Sequence, residues 1–452
     1  MANFEHIFKN SIMRIESINI KNTGVFADET IEFPSCPPNG AEIHIFTGPN
    51  GSGKSTILHS LAAGFNYKDV TGRCQVIHND FYKRFHSFEK LEDGSHTSQI
   101  EIKLDNNDNI ISYGCPICEN MHIVTESEKI QKYQFQMNPK MTSNYEFDFA
   151  LYASSGYRMI DYQDDNFAFY SNPLAQSLEF EKKNPQATSI EGWIYQALQN
   201  KYSAIGLAAE GNQAGIQTEI HIQVVERIKN AIRLVVGADF DFTLQLQPPK
   251  VRFKYGNSKN KLEFNVLAGG LKSLISWMID LAQMLDSLHW NDKTKSILDQ
   301  NIIIFLDEIE VHLHPLWQRK VLPMVTTLFP NAQIFISTHS PFIVNSIDGA
   351  WIYKLQVNEN GNSKVVSRHQ SNTAISYLSE YISTFGVEDE FGESTQKDLD
   401  EFETLIDQSE IDKARLEVVI QQLLAKKSIA VDNTVSIALR KLKRLKNIDI
   451  EL

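Results

Sequence analysis

An α/β fold with a buried parallel sheet is what this sequence predicts, and three stretches predict it. The apolar run Ile43-His44-Ile45-Phe46 feeds a glycine-rich loop, Gly48-Pro49-Asn50-Gly51-Ser52-Gly53-Lys54-Ser55-Thr56, and a helical pattern follows from Ile57. Residues 301–306 form a continuous apolar run, the composition of a strand covered on both faces, and it ends in Asp307-Glu308. A second such run, Gln333 to Ser337, ends in Thr338-His339-Ser340-Pro341.

The remaining elements follow in order. Ile12 to Ile20, Thr30 to Phe33 and Ile43 to Phe46 read as short strands separated by turn residues. Residues 97–113 alternate polar and apolar side chains, the pattern of a half-exposed strand. Phe147 to Ser154 is a further apolar run. Residues 163–260 change character: Ser189 to Leu207 and Ile220 to Val236 have helical spacing, and Phe240 to Tyr255 returns to strands. This stretch reads as an inserted, mainly helical lobe. Leu267-Ala268-Gly269-Gly270-Leu271-Lys272-Ser273 opens a helix over Leu274 to Leu288, and after residue 370 the pattern stays helical and polar. The expected division is 1–162, 163–260, 261–370 and 371–452.

Composition narrows the class. The 452 residues are 42% apolar and 22% charged, ordinary for a globular protein. No run approaches the ~18 apolar residues of a membrane span. The start, Met1-Ala2-Asn3-Phe4-Glu5-His6, lacks the basic-then-apolar order of a signal peptide, so a cytoplasmic protein without a membrane partner is expected. A net charge of −13 opposes general adhesion to nucleic acid. One basic run, Arg440-Lys441-Leu442-Lys443-Arg444-Leu445-Lys446, has Leu439, Leu442 and Leu445 at helical spacing, and a solvated helix face explains it more simply than a DNA site. Cys115-Pro116-Ile117-Cys118 has the spacing of half a zinc site. The other half would have to come from Cys36, Cys74, His78, His86 or His122, and the spacing leaves that open.

The glycine-rich loop fits the eight-residue phosphate-loop pattern in full. Its residues Gly48, Asn50, Gly51, Ser52, Gly53, Lys54, Ser55 and Thr56 are expected to bind a nucleoside triphosphate. Small residues let main-chain N–H groups close on phosphate oxygens, and the following helix points its positive end at the anion. Lys54 supplies a cation and Ser55 a hydroxyl for Mg²⁺. Asp307 sits where a carboxylate faces the crevice at the carboxyl edge of a parallel sheet, and would hold Mg²⁺. Glu308 would polarise the attacking water as general base, with His339 touching the γ-phosphate or that water. His312 and His314, two apart with no third ligand nearby, fit a turn better than a metal site.

Together these motifs resemble the ABC-type ATPase heads of the SMC, RecF and OLD group. Glu308-Ile309-Glu310-Val311-His312-Leu313-His314-Pro315 with Thr338-His339-Ser340-Pro341 looks like the branch found in anti-phage systems, which includes the Septu and PARIS ATPases and the OLD nucleases. The tail from Tyr377 to Leu424 looks most like the Septu type, and the similarity covers about residues 12–425. It implies a phosphate-loop mixed sheet with helices, an antiparallel β subdomain, an inserted helical lobe and a helical tail. It also implies two heads that sandwich ATP head to tail, with Gly269 and Gly270 of one serving the phosphate held by the other. Partners implied are a second copy, a separate nuclease effector, and DNA through the complex; a repair ATPase of RecF kind acting on DNA is the alternative. One departure stands out: Ala268 replaces the signature serine, and Leu271 follows the glycines instead of Gln or Glu. Losing one hydrogen bond to a charged phosphate is worth on the order of 1.5–3 kcal/mol, so hydrolysis is expected to be slow. The glutamine of the family's Q-loop is not placed. The tail's apolar positions, Phe402, Leu405 and Ile406 with Leu416, Val419, Ile420, Leu423 and Leu424, are expected to pack on the head or to dock subunits.

Overall fold

The structure is a computed structural model and describes residues 13–35, 40–67, 98–105, 107–115, 120–138, 145–156, 173–180, 187–210, 216–258, 260–385, 391–408 and 412–446. Of the residues weighed above, Cys36, Cys74, His78, His86 and Cys118 lie outside these. The chain divides into two compact units, residues 1–380 and 381–452.

The strands of the first unit, in chain order, are β1 (Ile15–Thr23), β2 (Phe26–Glu32), β3 (Glu42–Thr47), β4 (Gln99–Leu104), β5 (Asn109–Cys115), β6 (Asn120–Val124), β7 (Ala150–Ser155), β8 (Phe240–Gln245), β9 (Lys250–Tyr255), β10 (Ile302–Asp307), β11 (Ala332–Ser337), β12 (Trp351–Val357) and β13 (Ser363–Gln370). They form a six-stranded sheet in the order β13-β12-β3-β11-β10-β7, a five-stranded sheet in the order β2-β1-β4-β5-β6, and the β8–β9 hairpin. In the first sheet every pair from β12 to β7 is parallel; only β13 runs against its neighbour. All pairs of the second sheet are antiparallel. The alternation read as one strand over 97–113 is in fact two, β4 and β5. The chain reverses between them at Asn107, whose φ is 59°, a conformation asparagine tolerates well.

Every residue of β10 and of β11 is buried, which explains why their sequences carry no alternation. The helix Lys54–Gly64 lies between the sheets, touching β10 and β11 on one side and β1, β4 and β5 on the other. Ile57, Leu58 and Leu61 are fully buried, each contributing about 1.5–3 kcal/mol, so this helix has no polar stripe. Gln333 ties the sheets together: its side chain accepts from the Ile15 N–H at 2.8 Å and donates to the Ile15 carbonyl at 2.9 Å.

Helices Ala187–Ala209 and Ile216–Val236 pack on each other and on the β8–β9 hairpin. The second also packs on helix Pro315–Leu328, and the first on helix Gly269–Asp286. The latter begins at Gly269 rather than at Leu274, with Ala268 as its N-cap. Among the described residues, no helix is long and apolar enough to cross a membrane.

The second unit holds helices Glu393–Asp407, Lys413–Ala425 and Ile429–Lys446. Phe402, Leu405, Leu416, Val419, Ile420 and Leu423 form one buried cluster with Val431, Val435 and Leu442. The expectation that these side chains pack on the head or dock a subunit is therefore corrected. Three amphipathic helices bury their apolar stripes against one another, which is their cheapest option. Arg440, Lys443 and Arg444 face solvent while Leu439 packs on the cluster. Phe402→Ala should cost this unit about 3–5 kcal/mol, a large share of what so small a core provides. Hydrogen exchange should then rise across 393–446 and stay unchanged in β3, β10 and β11. A uniform rise over the whole chain would contradict an independent tail core.

Candidate functional site

The site is assembled at the carboxyl ends of four neighbouring parallel strands. Register places Phe46 of β3 beside Ser337 of β11, Ser337 beside Asp307 of β10, and Asp307 beside Ser155 of β7. Residues distant in sequence thus meet at one sheet edge, the place where open α/β sheets bind ligands.

Three glycines shape the loop after β3: Gly48, Gly51 and Gly53 have φ of 144°, 78° and 90°. A Cβ on Gly48 would meet the Leu355 carbonyl, and one on Gly53 would meet the Phe26 ring, so at both positions the turn and the space require glycine. No side chain caps the helix at Lys54, which leaves its first N–H groups directed at the loop. The Ser363 hydroxyl pins the loop by donating to the Ser52 carbonyl at 2.6 Å.

Lys54 is 4% exposed, and its Nζ donates to the carbonyls of Gly48 and Pro49, both at 2.9 Å. Burial, the largest influence, brings its ammonium down to about 8 against the pull of the Glu308, Asp307 and Glu310 carboxylates. Ser55 Oγ donates to Asp307 Oδ1 at 3.0 Å, and the Ser337 hydroxyl donates to the same oxygen. Burial raises the Asp307 carboxyl pKa above the usual range despite these two hydroxyls. His59, one turn beyond Ser55, places Nε2 3.9 Å from Asp307 Oδ2 and stacks its ring on Phe180.

Glu308 lies just past the strand end with φ of 52°, an uncommon conformation for a side chain of this kind. Its N–H donates to both the carbonyl and the hydroxyl of Ser337, each at 3.1 Å. Gly156, whose N–H donates to the Asp307 carbonyl at 2.8 Å, lies directly beneath: a Cβ there would run into the Glu308 carbonyl oxygen. His339, half-buried, follows β11 on the adjoining loop. Burial, then the Lys54 cation, lowers its imidazole pKa, so the ring tends to be neutral near pH 7.

Other residues fall away from this edge. Gly269 is exposed at a helix N-terminus with open space around it, whereas a Cβ on Gly270 would strike the His312 carbonyl of the same chain. Among the described residues, no hydrogen bond joins 268–270 to the phosphate loop. His314 caps helix Pro315–Leu328, its Nδ1 accepting from the Leu316 N–H at 3.2 Å. Among the described residues no group of three or more His, Cys, Asp or Glu is arranged to hold a metal.

Residues 43–345 match the family described as "AAA domain, putative AbiEii toxin, Type IV TA system". The chain belongs to this AAA family. Residues 13–67 also match a second AAA domain description. Membership makes the chain a nucleotide-binding protein of the ATPase class. The retron Vc95 probable ATPase of Vibrio cholerae serotype O1 biovar El Tor is 22% identical over 400 residues, 77% of this chain and 74% of its own length. Septu protein PtuA of Bacillus thuringiensis is 21% identical over 318 residues, 67% of each chain. The retron Ec83 probable ATPase of Escherichia coli is 26% identical over 187 residues, but that match spans only 32% of its length. Among solved structures, an SMC head domain from Thermotoga maritima covers 78% of this chain at 12% identity and a TM-score of 0.41. The Septu resemblance drawn from the motifs thus meets a relative of that name alongside the AAA family itself.

Proposed function

We propose that this chain is the ATP-binding, slowly hydrolysing subunit of an anti-phage defence complex, and that it controls a separate nuclease. The observation that carries the nucleotide part is the Ser55–Asp307 hydrogen bond, 3.0 Å across 252 residues of sequence. It brings the hydroxyl of the phosphate loop against the carboxylate of a distant strand, beside an uncapped helix N-terminus and a buried cation.

These groups suit a magnesium nucleotide. Ser55 and Asp307 are hard oxygen donors, the type Mg²⁺ takes. When bound, Mg²⁺ neutralises charge developing on the phosphates. The chain's own residues do the rest. The loop N–H groups and Lys54 bind the phosphates, and Ser337 fixes Asp307. Glu308 accepts a proton from the attacking water, and His339, as a neutral imidazole, hydrogen-bonds at the far end of the phosphate chain. Gly269 is free to meet the phosphate held by a second copy, which supports a head-to-tail dimer, while Ala268 supplies no hydroxyl there. Relatives named as a Septu protein and a retron probable ATPase support the defence setting. The nuclease partner rests on the motif resemblance, and DNA is reached through the complex.

The test is phage plating on cells carrying the wild-type chain with its genomic neighbour, against the same pair with Lys54→Ala. Protection lost with Lys54→Ala is expected; no protection by the wild-type pair sinks the defence role, and equal protection by both pairs removes the nucleotide's part in it. Duplex DNA binding by the purified chain alone, tight and steeply salt-dependent, would instead favour a repair ATPase using the exposed Arg440, Lys443 and Arg444. A monomer in light scattering, with and without ATP, would remove the dimer.

A further inference from the structure

Glu310 sits two residues past Glu308, on the loop between β10 and helix Pro315–Leu328. Its Oε1 accepts the main-chain N–H of His339 at 2.6 Å. Its Oε2 is sealed from solvent, although the residue as a whole is only half-buried. A second bridge lies alongside. Gln318 Nε2 donates to the Leu313 carbonyl at 2.9 Å, while Gln318 Oε1 accepts from the Ser340 hydroxyl at 2.6 Å. The loop that carries Glu308 is therefore fastened to the loop that carries His339 at two adjacent points, residues 339 and 340.

The two fasteners differ in kind. Gln318 satisfies its amide on both sides, as a structural tie does. Glu310 places a carboxylate where burial raises its pKa against the His339 N–H, its own N–H and the Thr338 hydroxyl. A sealed carboxyl whose burial outweighs its hydrogen bonds costs stability rather than adding to it, so packing does not explain its presence. What it does achieve is geometric. A bond to the His339 main chain leaves the imidazole free to meet a ligand, yet fixes where the ring starts from relative to Glu308.

We propose that Glu310 is a positioning residue: its carboxylate holds the His339 main chain and so sets the imidazole against Glu308 across the site. This rests on the reading that Glu308 and His339 act on a bound nucleotide. The residue acts through His339 and does not itself touch the phosphates.

The experiment compares wild type, Glu310→Gln, Glu310→Ala, His339→Ala and the Glu310→Ala/His339→Ala double variant. Glu310→Ala should lower kcat roughly 10- to 100-fold, the scale of a misplaced group, with ATP affinity within a few-fold of wild type. Glu310→Gln keeps an acceptor oxygen and should restore most of that loss. The double variant should be no slower than His339→Ala alone, because the two residues act in one chain. Wild-type kcat in Glu310→Ala, or a multiplied loss in the double variant, overturns the proposal. A readout independent of turnover is the ¹⁵N-histidine amide spectrum of the nucleotide-free chain. The His339 amide resonance should move in Glu310→Ala and stay near its wild-type position in Glu310→Gln. If wild type binds no ATP, the nucleotide reading fails, and the resonance still decides: no movement in Glu310→Ala refutes the positioning role.

Discussion

Lys54→Ala is expected to weaken ATP binding by roughly 10²- to 10⁴-fold. Two charge-assisted hydrogen bonds from one ammonium are worth about 1.5–3 kcal/mol each, and about 1.4 kcal/mol is a factor of ten. The surroundings of the cation make the upper half of that range reasonable. Lys54 is almost fully buried, and among the described residues its donors go to the Gly48 and Pro49 carbonyls alone. Those are loop groups that a phosphate would replace with stronger, anionic acceptors. Burial works against the ammonium and brings it to about 8. A cation kept in such a place is compensated best by an anion, and removing it leaves the phosphates beside Asp307 and Glu308 with only the loop N–H groups and Mg²⁺ to offset them. Among the described residues Nζ makes no other hydrogen bond, so thermal unfolding should shift far less than affinity. Titration calorimetry with a non-hydrolysable ATP analogue in Mg²⁺ measures the loss. Equal affinity in the two proteins would mean that the loop after β3 is not the phosphate site.

Much of this site was legible because its parts are local in sequence. Gly48 to Thr56 announces its own turn, and the apolar runs over 301–306 and 333–337 announce buried strands that end in polar residues. What a single sequence does not carry is which strands become neighbours. The hydrogen bond from Ser55 to Asp307 depends on β11 lying between β3 and β10, and no periodicity states that order. Gly156 was passed over for a similar reason. Its lack of a Cβ matters only because β7 runs beside β10 and brings the residue under Glu308. His59 read as one more residue of a buried helix; only its i+4 relation to Ser55 hinted that it would face the same carboxylate. Gly269 and Gly270 show the opposite difficulty. Both read as donors to a phosphate held by a second copy; within one chain the His312 carbonyl leaves no room for a Cβ at Gly270, while Gly269 has open space around it. The tail illustrates how patterning limits inference. Its amphipathic helices were plain, but a stripe of apolar residues does not name the surface that covers it, and here the three helices cover one another.

Glu308→Gln should leave ATP bound and remove most turnover. The side chain keeps its size, and Gln satisfies the same backbone: the N–H of residue 308 still donates to Ser337, and Gly156 still leaves room beneath. The left-handed φ of 52° costs the same in either protein, so stability should be unchanged. What is lost is the proton acceptor, and a positioned general base contributes about 10²- to 10⁴-fold. That backbone conformation supports the assignment. A glutamate held in a sparsely populated conformation by two bonds to Ser337 is held for a purpose other than strand continuity, because β10 has already ended at Asp307. Ala268 bears on the size of the effect. If a missing hydroxyl already slows the wild type, the fall will lie near the lower end of the range, since part of the transition-state stabilisation is absent from the start. Phosphate release under saturating ATP gives kcat, and calorimetry on the same preparations gives affinity. A fall in kcat of two decades or more with affinity within a few-fold is the expected pair. Turnover at the wild-type rate would place the base elsewhere. A parallel loss of affinity would show that Glu308 shapes the ground-state complex rather than the chemical step.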